Sequence, residues 1–295
     1  ALPISATAVA ASVSAAASGT GKGVGLSGGG AAALNDVQGS TLAWSADSTL
    51  QSAGAVALTA SNDPSKIDAT VVAAALSVAY SGVDKAGAAA IGVARARNLI
   101  GDAELSPLQV RAYLQDTSVT AAGDLTLTAH ANQEIDATIV AASAAISASS
   151  KGQAAALGGS GADAENRITT RVEATIDGGG ASGLQANAVT LKALDESTID
   201  AVAVGAALVA ALGSGGGGAA AVGVSIAQNS ISTDLDAAIR NAQVTTRAGD
   251  IKIQAVEDAR IDATSVAASL AAASGAIGIA LSGAGAESTN DIDAR

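Results

Sequence analysis

The stretch "GSGGGGAAAVGVSIAQNSIS", Gly213 to Ser232, decides how the chain is read. Taken alone it has three meanings: a phosphate-cradling glycine loop, a membrane span, or the turn and strand of a repeated unit. Gly213, Gly215 and Gly218 match G-x-G-x-x-G, which carries weight only between a strand and a helix with an acidic residue about 20 positions on. The uncharged run from Ala201 to Thr233 is long enough to span a bilayer.

Self-alignment separates these meanings. "PISATAVAAS", "KIDATVVAAA", "EIDATIVAAS", "TIDAVAVGAA" and "RIDATSVAAS" align at Ile4, Ile67, Ile135, Ile199 and Ile261, a repeat of about 63 residues. A second landmark is an asparagine near an apolar residue: Asn35, Asn98, Asn166, Asn229 and Asn290. A third is "AGAVALTA", "AGDLTLTA", "ANAVTLKA" and "AGDIKIQA", beginning at Ala53, Ala122, Ala186 and Ala248. The chain therefore divides into repeats at approximately 1–64, 65–132, 133–196, 197–258 and 259–295, the last one truncated. The glycines at 213–218 align with Gly19 to Gly23, Gly82 to Gly87 and Ser149 to Gly152, so they form the local version of a recurring turn. Equivalent turns carry Asp84, Lys85 or Lys151, charges that a lipid-buried span would not hold.

Composition narrows the fold class. The 295 residues include 34 Gly but no Phe, Met or Cys, one Trp and two Tyr, and the net charge is −12. Such an interior is made of small groups at close range, unlike an enzyme core. The acidic balance argues against nucleic acid and anionic membranes. Absence of Cys removes disulfides and most zinc sites. "ALPISATAVAA" does not read as a signal peptide, and reads as a processed end or the interior of a longer precursor.

Leu125 and Leu127, Val189 and Leu191, and Ile251 and Ile253 alternate at period two, which is strand spacing. Val24 and Leu26, Ile91 and Val93, and Val222 and Val224 alternate with Gly, Ala or Ser in the same way. The Ala-rich openings could support a helix instead, but their β-branched residues and Gly/Ser breaks favour strands. Each repeat predicts two long small-residue strands joined by a Gly turn, a shorter strand, a variable turn and a final strand. The fold class is all-β: a repetitive β-solenoid with like strands in register, or a stacked sandwich of long hairpins. In either arrangement Ala and Gly faces bring two sheets closer than the ordinary ~10 Å.

Stacking would align chemistry along the array. Asn35, Asn98, Asn166, Asn229 and Asn290 predict a structural ladder at the corner between the second and third strands, since Asn tolerates left-handed geometry and stacked amides bond to one another. Asp68, Asp136, Asp200 and Asp262 predict a carboxylate ladder. Solvent and partial pairing with Lys66 and Arg260 can hold it, with calcium a weak alternative. "GGSGADAEN" at Gly158 is one broken copy of a calcium nonapeptide, with Glu165 where an apolar residue belongs. His130 has Ser61, Leu194 and Val256 as equivalents, a surface position and not a catalytic base. Trp44 and Tyr113 share one strand position and could cap an outer face or stack on a sugar. No catalytic constellation emerges.

This organisation, "IDAT-VAA", Gly turn, "AVGVSIA-N-I" and "AGDIxIxA", resembles the β-strand repeats of giant bacterial secreted surface proteins, the filamentous-haemagglutinin-like and autotransporter-like adhesins. The resemblance implies an extracellular or cell-surface, non-catalytic, structural or adhesive fibre segment, as in biofilms, with further repeats. It supplies no catalytic residues and no cofactor. Both ends fall within the array, which predicts self-association end to end by strand pairing. A glycan- or calcium-binding module of a surface adhesin is the alternative, with cell-surface glycans as a second partner beside self.

Overall fold

A computed structural model describes residues 3–101 and 106–295; Ala1 and Leu2, which open the first repeat, lie outside the described residues. The chain is all-β. In chain order the strands are β1 (Ile4–Ser18), β2 (Gly23–Val37), β3 (Ser40–Ala46) and β4 (Thr49–Ser52), then β5 (Val56–Ser81), β6 (Ala86–Ile100), β7 (Leu108–Gln115) and β8 (Ser118–Ala121). They continue as β9 (Leu125–Ser149), β10 (Gln153–Asp177), β11 (Leu184–Ala186), β12 (Val189–Asp195), β13 (Thr198–Gly213) and β14 (Gly216–Arg240), then β15 (Val244–Thr246), β16 (Ile251–Glu257), β17 (Arg260–Ser274) and β18 (Gly278–Ala294). The Ala-rich openings are strands, not helices.

Every strand pairs in parallel with its counterpart one repeat away. β1, β5 and β9 are successive neighbours in one sheet; β2, β6, β10, β14 and β18 are successive neighbours in a second. Register follows the landmarks: Ile4 aligns with Ile67, Ile67 with Ile135, Ile135 with Ile199 and Ile199 with Ile261. The two long strands of a repeat face each other across the interior and do not pair, which sets aside the hairpin arrangement. A third sheet, β4, β8, β11 and β15, lies in the segment expected to be only a variable turn. Its signal is one recurring apolar residue: Leu50, Val119, Leu184 and Val244 occupy one register position.

The interior has two parts. One contains the large side chains, among them Ile67, Ile100, Leu125, Leu127, Ile168 and Leu191, all fully buried. The other lies between the first and second strands of each repeat and is nearly all alanine, including Ala75, Ala90, Ala145, Ala156, Ala211 and Ala221. Here the two sheets meet backbone to backbone. A Cβ on Gly92 would stand 2.3 Å from the Ala142 carbonyl oxygen, and one on Gly205 would stand 2.2 Å from that of Val224. Little room remains for larger side chains, Val209 opposite Gly158 being one that fits, so Val24, Leu26, Ile91, Val93, Val222 and Val224 face solvent while alanine and glycine face inward.

Serine closes three of the reversals. Ser18, Ser81 and Ser149 accept through Oγ from the backbone N–H three residues on, at Gly21, Asp84 and Gly152, over 2.8, 3.0 and 2.9 Å. Such local bonds satisfy the turn backbone and stop the strand. The fourth reversal uses the glycines at 213–218, which join β13 to β14; a strand follows them, not a helix. Among the described residues no helix is long and apolar enough to cross a membrane.

Candidate functional site: the stacked polar columns

The asparagines form a continuous column, buried from Asn35 to Asn229 and exposed at Asn290. Asn35 Nδ2 donates to Asn98 Oδ1 at 2.7 Å, Asn98 to Asn166 at 2.7 Å, Asn166 to Asn229 at 2.8 Å and Asn229 to Asn290 at 2.9 Å. Parallel in-register pairing sets equivalent side chains about 4.8 Å apart, within reach of one amide-to-amide bond per repeat. Asn35 and Asn98 stand two residues before the ends of β2 and β6, and Asn166 and Asn229 stand within the unbroken strands β10 and β14. Gly101, just past β6, is left-handed with φ of 71°, and a left-handed corner shared by four repeats comes later, at Asp47, Asp116, Gly178 and Asn241, with φ of 47°, 44°, 75° and 50°. Asp, Gly and Asn are the residues that tolerate that conformation, so the argument from left-handed geometry belongs to this second column.

Asp68, Asp136, Asp200 and Asp262 share one register position on the outer face, where the first repeat has Ser5. Lys66 Nζ bridges Glu134 and Asp136 at 2.6 Å each, and Arg260 pairs with Asp262 at 2.6 Å. The hydrogen bonds to Asp136 first, and to Glu134 second, hold the Lys66 ammonium above its ordinary range. Among the described residues no three His, Cys, Asp or Glu side chains converge to hold a metal. "GGSGADAEN" runs through β10, where Asp163 pairs with Arg95 at 3.1 Å and Glu165 with Arg97 at 3.2 Å.

An acid pair with one fully buried member escaped the sequence reading. Asp195 is fully buried, and in register its neighbour is Glu257. Period two contains the missing signal: Asp195 lies on the same face as the buried Leu191 and Ala193. Thr233 Oγ1 donates to Asp195 Oδ2 at 2.8 Å. Ser197 Oγ lies 2.7 Å from Asp195 Oδ1 and 2.8 Å from Gln133 Oε1, yet its single proton can serve only one of them. Turning the Gln133 amide, whose Nε2 otherwise has no partner, resolves this conflict: Nε2 then donates to Ser197, which donates to Asp195. Burial pushes the Asp195 carboxyl up from its ordinary value, against the pull of its hydroxyl donors. Burial first, and the charge of Asp195 second, push Glu257 up to about 7. Glu257 faces Asp195 and the Thr233 hydroxyl across the repeat boundary.

Trp44 and Tyr113 stack with centroids 6.1 Å apart, and the Arg111 guanidinium lies 4.7 Å from the Tyr113 centroid. Arg111 pairs with Glu173 of the following repeat, whereas Trp44 belongs to the preceding one, so both faces of Tyr113 are occupied. Beside them Arg111, Glu173, Thr175, Asp236 and Arg240 line a cleft of about 340 Å³. His130 Nε2 lies 2.8 Å from Glu196 Oε2 on the outer side of β9. Comparison with known protein families, with curated proteins and with solved structures finds no match for this chain.

Proposed function

We propose that the chain is a β-solenoid segment of an extracellular or cell-surface fibre, non-catalytic, whose work is structural or adhesive. The observation that carries this reading is the unbroken asparagine column, in which each repeat bonds the next by the same side chain in the same register. An array so built grows by adding repeats without altering its cross-section, and neighbouring repeats stabilise one another. β2 and β18 end the order of the second sheet, each with one edge that no strand of the described residues pairs. Such edges template further strands of the same kind.

Negative-stain electron microscopy of the purified chain, with and without a calcium chelator, tests the proposal. Uniform filaments that persist in chelator are the expected result. Discrete compact particles in both conditions sink the fibre reading, and filaments that dissolve in chelator make the aspartate column a calcium site.

A further inference from the structure

The outer face of the β2, β6, β10, β14 and β18 sheet carries a checkerboard. One register column reads Leu26, Ala89, Leu157, Ala220, Leu281; the next reads Gly28, Ile91, Gly159, Val222, Gly283. A third repeats the second, with Gly30, Val93, Gly161, Val224 and Gly285. Large and small residues thus alternate along each column, and the Leu26 column is out of phase with the other two. The large ones are exposed, Leu26 by 68% and Ile91 by 58%.

The glycines on this face have no purpose within the chain. A Cβ at Gly28, Gly159, Gly161, Gly283 or Gly285 would meet nothing within 4 Å, apart from its own chain neighbours, unlike Gly92 or Gly205 on the inward face. Glycine in a strand is less stable than alanine, and its usual reason is the close approach of another molecule or backbone.

We propose that this face docks a second copy of the chain, about a two-fold axis parallel to the strands and passing between the second and third repeats. That axis sets Leu26 opposite Ala220, Ala89 opposite Leu157, Ile91 opposite Gly159, Gly28 opposite Val222, and Val93 opposite Gly161: each large side chain meets a hole. It also sets Arg95 opposite Asp163 and Arg97 opposite Glu165, each twice by symmetry. A strand-parallel axis between the third and fourth repeats also matches knobs to holes but sets Asp163 opposite Ile226, and a two-fold axis along the repeats sets Arg95 opposite Lys85, which like charge disfavours. Four facing repeats over residues 24–34 span roughly 19 Å by roughly 35 Å, about 650 Å² on each copy, close to the ~800 Å² per partner of a standard specific interface. The pairing is lateral and closes at two copies, so it is independent of end-to-end growth and of the fibre reading.

Sedimentation of the whole chain from about 1 µM to about 1 mM covers the range in which an interface of this size dissociates. A dimerisation step that stops at two copies is expected, on single chains or on the filaments they build, distinct from the open-ended series that end-to-end stacking alone produces. Gly159→Leu fills a hole in open space and adds exposed apolar surface; it weakens dimerisation at least tenfold if the fit is specific. The exchanged pair Ile91→Gly with Gly159→Leu restores it to within about threefold, because the knob has only changed sides. Leu157→Ser, which removes a knob, weakens it as well and serves if Gly159→Leu does not fold. A wild-type chain that stays monomeric throughout, whether or not this face binds lipid vesicles, overturns the proposal. So does a Gly159→Leu chain that associates as tightly as the wild type.

Discussion

Asn98 donates from Nδ2 to Oδ1 of Asn166 at 2.7 Å, although 68 residues of chain separate the two. The same residue accepts from Asn35 at 2.7 Å, so it joins three repeats through two buried hydrogen bonds. Asn98→Ala removes both and leaves the Asn35 donor and the Asn166 acceptor unsatisfied in the interior. The expected loss is about 2–4 kcal/mol, from one to two buried groups stranded at ~1–3 kcal/mol each. Urea unfolding reads it directly, and a loss below ~1 kcal/mol would show that water replaces the amide.

Two glycines in one strand type separate packing from propensity. Gly92→Ala drives a Cβ to 2.3 Å from the Ala142 carbonyl oxygen, whereas Gly159→Ala enters open space. The first parts the two sheets and is expected to destabilise by about 1–3 kcal/mol or more. The second is expected to be neutral or to stabilise by up to ~1 kcal/mol. Equal effects in thermal unfolding would contradict the backbone-to-backbone contact.

The acid pair makes stability depend on pH. Glu257 rises from an ordinary value of 4.5 to about 7, so between these limits the unfolded chain is ionised while the folded chain still holds its proton. Its contribution is complete below about pH 4.5 and is lost as pH rises through about 7; the raised Asp195 acts in the same direction. The chain is expected to melt at higher temperature at pH 5 than at pH 8. Glu257→Gln should flatten that difference and recover at most about 2 kcal/mol at pH 8, allowing for solvent screening of a partly exposed group. Melting curves across pH with an unchanged slope in Glu257→Gln would assign the dependence elsewhere.

Lys66 bridges two partly exposed carboxylates, and solvent weakens such contacts. Lys66→Ala is expected to cost about 0.2–1 kcal/mol at low salt, with the difference shrinking in high salt. A salt-insensitive loss above ~2 kcal/mol would mean that the lysine stem packs and does not merely pair.

Repetition and period two determined much of this molecule before any fold was seen. They place Ile4, Ile67, Ile135, Ile199 and Ile261 in one column, the five asparagines in another and the four aspartates in a third, because an in-register array can stack only like on like. The same rule contained Asp195 on the face of Leu191, although its burial went unread. What period two cannot say is which face of a strand is covered when both are apolar. In β6, Ala90 and Gly92 alternate with Ile91 and Val93, and hydrophobicity alone would turn the larger pair inward. Only the tertiary structure decided the reverse, because the facing sheet approaches until its carbonyls meet the glycines, and Ala90 and Gly92 are what fits there. It also decided the corner at Asp47, Asp116, Gly178 and Asn241 and the third sheet beside it, since where the chain turns depends on closing each repeat onto the next, a long-range condition that no local pattern records.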